Sequence, residues 1–299
     1  MLDTGAALQS IVLPTPAGPL NCLLGYDNPD AYLTDPYYVG VTVGRFANRI
    51  NRGRIRIGDE THQLDANETA TGNCLHGGSD GLYRQRFRLA GDGEKLVCHH
   101  DSPAGAQGFP GNLSVDVTYR LLGDYTLSIE FVATADEETV VNLANHAYFN
   151  LDSDKERIDT HQLIVFASRY TPVNEVDIPT GEIRSVDDSN FDLRRQTSLR
   201  DRVIDHNFVI DGKAGQLRPA AELYCAASGV GLSVHTTQPG MQVYTGDHLG
   251  APFVARQGIA LEAQNFPDAP NQAGFPSARL APGETYRQQT VYEFLPPGD

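Results

Sequence analysis

Two side chains in this sequence could move protons. Glu262 follows the apolar run Ile259-Ala260-Leu261, and His146 sits inside residues 142–151 (NLANHAYFNL), a segment without any charged residue. If 259–264 is a strand, Glu262 and Gln264 share one face and Leu261 and Ala263 the other. Desolvation there would raise the carboxyl pKa toward the range useful to a general base. Alone, a solvated edge-strand glutamate is the simpler account. Around His146, the amides of Asn142, Asn145 and Asn150 can donate and accept hydrogen bonds, and Tyr148 and Phe149 offer apolar faces. An imidazole there reads as a proton-transfer group in a polyol pocket. A core histidine satisfied by its neighbours fits the isolated segment slightly better.

Four further segments carry usable chemistry. In Gly44–Ile50, Asn48 stands next to Arg49, an amide and a guanidinium able to donate several hydrogen bonds to sugar hydroxyls, unless the arginine is simply ion-paired. His76 precedes Gly77 and Gly78, a glycine pair that would let the backbone approach a ligand closely or merely turn. Asp205, in 204–208 (IDHNF), could accept from two hydroxyls or cap a turn. In 239–246 (PGMQVYTG) a turn leads into a strand presenting Gln242 and Tyr244 on one face, which an ordinary half-buried strand also explains.

Positioning these groups requires strands. Glycine and proline recur in turns such as Phe109-Pro110-Gly111, Gln238-Pro239-Gly240 and Ala281-Pro282-Gly283, leaving little room for long helices. Between them, Leu113–Tyr119 and Tyr125–Phe131 alternate apolar and polar residues, with Leu232–Thr236 a weaker third run. The best helix candidate runs from Ser198, a plausible N-cap, to about Ile204. The expected fold is an all-β sandwich or barrel. No repeat or linker interrupts it, so residues 1–299 read as one domain, whose strands must gather segments spread from position 44 to beyond 262.

Composition narrows the function. The 23 Lys and Arg against 38 Asp and Glu give a formal charge of −15, which opposes binding to nucleic acid and to anionic membranes. The densest basic run holds Arg45, Arg49, Arg52, Arg54 and Arg56, the last three on one face if it is a strand. The N-terminal stretch has neither the basic residues nor the apolar length of a signal peptide or membrane span, so a cytoplasmic protein is expected. Four widely spaced cysteines, Cys22, Cys74, Cys98 and Cys225, suggest neither a disulfide framework nor a zinc ribbon. Cys98-His99-His100 alternates across a strand and lacks a second ligand cluster, so no metal is expected.

Together, the segments are more specific than any one of them. Gly44–Arg49, Leu75–Gly78, Asn145–Leu151, Asp205–Phe208, Gln238–Gln242 and Glu262–Asp268 occur in an order that closely resembles the aldose 1-epimerase family, the galactose mutarotases, over nearly the whole chain. The resemblance implies a large twisted β-sandwich that interconverts the α and β anomers of a free aldose, galactose or glucose first, without a cofactor. It implies that Glu262 removes the proton from the anomeric hydroxyl and that His146 protonates the ring oxygen. It further implies that His76 assists near that oxygen and that Asn48, Arg49, Asp205 and Gln242 hold hydroxyls. The partner would be a small sugar and the protein a monomer or homodimer. One departure is Phe87, about where relatives often carry a tryptophan; this chain has none. Three other readings stay open: a non-catalytic carbohydrate-binding sandwich, a hexose-phosphate epimerase using Arg84, Arg86 and Arg88, and, more weakly, a hydrolase pairing Asp205 with Glu262.

Overall fold

The computed structural model describes residues 1–297. The alternating runs become strands. Leu113–Gly123 buries Leu113, Val115, Val117 and Tyr119 and pairs antiparallel with Thr126–Ala135, Val117 opposite Phe131. These belong to a nine-stranded sheet ordered Thr197–Ser198, His161–Val165, Arg218–Cys225, Gly231–Thr236, Tyr286–Leu295, Thr126–Ala135, Leu113–Gly123, Lys95–Ser102, Arg88–Gly91. A six-stranded sheet runs Tyr148–Phe149, Ile259–Gln264, Gly240–Tyr244, Asp205–Val209, Arg169–Thr171, Arg184–Ser185.

The two sheets form a sandwich. Val117, Ile129, Phe131, Leu232 and Tyr292 of the larger sheet join Phe149, Phe208, Met241, Val243 and Leu261 of the smaller in one buried cluster. The Phe149 and Tyr292 rings meet edge to face across the layers, centroids 5.1 Å apart. Each such side chain contributes about 1.5–3 kcal/mol on burial, so this layer is the main source of stability. Because strand side chains alternate, the odd-numbered residues of Ile259–Gln264 face this core. Register places Glu262 beside Gln242, Gln242 beside Asn207, and Tyr244 beside Asp205 on the opposite face. Segments from the first half of the chain cover that face, leaving the cleft between.

Several expectations are corrected. Residues 198–204 form no helix: Ser198 ends a two-residue strand, its Oγ accepts the Arg200 N–H, and Asp201 is left-handed at φ 60°. The helical elements found among the described residues are 3₁₀ turns of three to five residues. Of the arginines expected on one strand face, Arg54 and Arg56 are exposed on Arg54–Ile57, while Arg52 lies in the preceding turn at φ 51°. Phe87 is 3% exposed in the main core and does not line the cleft. All four cysteines are buried and unpaired. No helix among the described residues is long and apolar enough to cross a membrane.

Candidate active site

A cavity of about 240 Å³ opens on the polar face of the six-stranded sheet, lined by Asn48, Arg49, His76, His146, Asp205 and Glu262 together with Tyr37, Tyr38, Tyr148, Tyr244 and His248. Six of the seven expected site residues therefore converge here. The seventh, Gln242, is buried beside the cavity, and its Nε2 donates to Asp205 Oδ1 at 2.6 Å. A larger groove, about 560 Å³, runs past Leu13, Leu96 and Leu121, but its lining contains no histidine.

Glu262 projects from a strand whose six residues are all buried, and it is itself 2% exposed. Its Oε1 lies 3.5 Å from His146 Nε2, within ion-pair range but longer than a good hydrogen bond. Glu262 Oε2 and His146 Nδ1 have no hydrogen-bond partner among the described residues. Burial raises the Glu262 pKa well above 4.5; the nearby Asp205 charge adds to the rise and Arg49 opposes it. Burial lowers His146 to about 4. Both groups are thus driven toward their neutral forms.

His146 is fixed through its own backbone, which donates to Val41 O and accepts from Gly40 N. The three asparagines around it do not offer their amides to a polyol. Asn142 bonds Ala47 O and the Asn265 backbone, Asn145 donates to Gly40 O and to Tyr119, and Asn150 donates to Gln257 O. Polar side chains in a charge-free segment here replace the ladder bonds of very short strands.

His76 is left-handed at φ 52°, and its Nδ1 accepts the Asn48 N–H at 3.1 Å while its own N–H donates to Asn48 O. Gly77 follows because a Cβ there would lie 2.0 Å from Gly44 O; the close approach is to backbone, not to a ligand. His76, His146 and Glu262 bring one donor atom each within 4.8 Å of one another, a spacing a metal could use. The His76 hydrogen bond argues against it. Burial keeps this ring neutral, so with Nδ1 accepting, the proton must reside on Nε2, which becomes a donor instead of a ligand.

Arg49 pairs through its Nε and Nη2 with Glu68, at 3.0 and 2.9 Å, leaving the Nη1 edge free for another acceptor. Asn48 accepts the Arg49 N–H at Oδ1, which leaves its NH₂ to donate. Arg45, four residues earlier, is 2% exposed and serves the fold: it donates to Ser102 Oγ and to the carbonyls of Ser102, Pro103, Pro110 and Gly111. Tyr37, Tyr38, His248 and the support from Glu68 were not anticipated. No local signal marked them, since Tyr37 and Tyr38 follow Asp35-Pro36 in a segment that also holds Tyr32, Leu33 and Val39.

Comparison with known proteins agrees with this geometry. The Aldose 1-epimerase family profile matches residues 1–293. The chain is 34% identical to the aldose 1-epimerase of Escherichia coli K12 over 99% of its length and 91% of the relative's, and 38% identical to human galactose mutarotase over 91% and 83%. Its fold superposes on the crystal structure of an aldose epimerase homologue from C. elegans with a TM-score of 0.93 at 30% identity, covering 100% of this chain and 95% of that one. On galactose 1-epimerase from Lactobacillus acidophilus the TM-score is 0.85 at 29% identity, covering 99% and 90%. The sandwich, the cleft and these matches lead to one conclusion: the chain belongs to the aldose 1-epimerase family, whose enzymes interconvert sugar anomers.

Proposed function

We propose that this cleft opens and recloses the pyranose ring of galactose or glucose, with Glu262 and His146 as the proton-transfer pair. The observation that carries the reading is the 3.5 Å approach of these two buried, oppositely shifted groups at the base of the cleft. Ring opening needs a base at one oxygen and an acid at another. Glu262 takes the proton from the anomeric hydroxyl, C1=O1 forms, and the C1–O5 pair leaves to O5, which takes a proton from His146. Rotation about C1–C2 presents the other carbonyl face, and the reverse steps close the ring.

Burial suits this cycle. A protonated Glu262 beside neutral His146 contains as many protons as a carboxylate beside imidazolium. The sugar relays a proton from the imidazolium to the carboxylate, so the pair reaches its burial-favoured form as the aldehyde appears. Positioned acids and bases of this kind each contribute about 10²–10⁴-fold. His76, donating from Nε2, assists at the ring oxygen. Asn48, Arg49 and Asp205 hold hydroxyls, and Gln242 acts through Asp205.

The hexose-phosphate alternative lacks the three arginines it would use. Arg84 donates to Leu33 O, Arg86 pairs with Asp3 and Arg88 with Asp101, and none of the three lines the cleft. Residues lining the cavity span positions 36–262, which favours one domain over 1–299 acting on a small sugar. Four buried thiols fit a reducing, cytoplasmic setting. Polarimetry on freshly dissolved α-D-galactose and α-D-glucose tests the reading: accelerated decay of rotation with either sugar is expected, and none with both sugars would overturn it.

A further inference from the structure

Asp35 is a buried carboxylate, 4% exposed, that the proton-transfer chemistry does not use. Its Oδ1 accepts the Tyr26 hydroxyl at 2.6 Å and the Tyr37 N–H at 2.8 Å, and its Oδ2 accepts the Val39 N–H at 2.5 Å. The two N–H groups flank a single residue, Tyr38, whose backbone is left-handed at φ 59°. A bulky side chain seldom adopts that conformation unless its surroundings impose it.

The imposed turn sends the Tyr38 ring into the cleft wall. It lies 4.5 Å from the His76 ring and 5.9 Å from that of His146, with Tyr83 edge-on behind it at 4.8 Å. The same strap continues into the catalytic backbone, since Gly40 N donates to His146 O and His146 N to Val41 O.

We propose that Tyr38 is a further substrate-contacting residue, its ring packing on a C–H face of the sugar, and that Asp35 is the positioning residue that holds it there. This rests on the sugar-cleft reading above. An aromatic face suits a neutral sugar, which presents apolar C–H patches between its hydroxyls. The ring also shields the two imidazoles from water.

The test is a double-mutant cycle read as kcat and KM for galactose, with thermal melting of each variant. Tyr38→Ala is expected to lower kcat/KM by about three- to tenfold, chiefly through KM, and Tyr38→Phe, which keeps the ring, to lose less. Asp35→Asn keeps the shape but turns an amide N–H toward one of the N–H groups it must hold. Its loss should be largely absent in the Tyr38→Ala background, because Asp35 acts through Tyr38. Multiplying losses in the double variant, or an unchanged kcat/KM in Tyr38→Ala, would overturn the proposal. If Asp35→Asn fails to fold, the Ala-versus-Phe comparison at Tyr38 still decides whether the ring contacts sugar. Failure of the wild type to act on galactose or glucose would sink the functional reading itself, a separate outcome.

Discussion

The strands Leu113–Gly123 and Ile259–Gln264 follow the same alternation but differ in what covers their second face. In the first, inward residues are buried and outward ones, such as Asp116, meet solvent. In the second, both faces are buried, yet the outward face still carries Glu262 and Gln264. The nine-stranded sheet keeps most of its polar groups at the surface, Gln288 Oε1 being the one buried side-chain atom without a partner among its described residues. The six-stranded sheet holds Glu262 Oε2, Gln242 Oε1 and both amide atoms of Gln264 without partners. Unpartnered buried polar groups cost stability, about 1–3 kcal/mol each. The contrast separates a layer that holds the protein together from a layer that holds chemistry.

The sharpest way to break this comparison is to neutralise the chemical layer. Glu262→Gln and His146→Asn should each lower kcat by about 10²–10⁴-fold with little change in KM, and the double variant should fall hardly further than the worse single one, since the two act as a unit. Steady-state polarimetry checks this; multiplicative losses would mean that they work separately. Next in size is a stability change in the opposite layer. Phe131→Ala, in the nine-stranded sheet, should cost about 3–5 kcal/mol in denaturant unfolding while turnover per folded molecule stays unchanged.

A smaller effect has an unusual sign. The folded-state pKa of Glu262 is raised, so the folded protein holds this proton more tightly than the unfolded chain, and stability is lost as pH rises from 4.5 toward the raised value. Glu262→Gln should therefore melt higher than wild type at pH 8, with the gain shrinking toward pH 4.5; a variant that melts lower at pH 8 would contradict the cost assigned to the buried carboxylate. Smallest of all is the exposed pair Arg287 and Glu130 on the nine-stranded sheet. Replacing both with Gln should move stability by no more than about 1 kcal/mol and leave turnover alone.

Legibility in the sequence follows the same division. Alternation announced the strands because their two faces differ in solvent exposure, and Glu262 stood out as a charge directly after an apolar run. Local patterns could not distinguish Arg45, which ties down loop carbonyls, from Arg49, which faces the cleft, because both are arginines in one short segment and only long-range packing separates them. The asparagines near His146 misled for the same reason: an amide that binds backbone and one that binds sugar have identical chemistry. The Ser198 helix failed because an N-cap signal is not enough once Asp201 turns left-handed. Tyr38 and its Asp35 strap were invisible because their function lies in two N–H contacts across a turn.

The central claim is that Glu262 and His146 share one working proton, and the pH dependence of kcat/KM by polarimetry tests it most directly. The pair is singly protonated between the lowered His146 value of about 4 and the raised Glu262 value. Activity is therefore expected to fall as pH drops through about 4, with circular dichroism confirming that the protein stays folded, and to fall on the alkaline side only as the raised Glu262 loses its proton. A profile whose acid limb lies at the ordinary histidine value of 6.5, or an alkaline limb that stays in place when Glu262 is replaced by Gln, would contradict the claim.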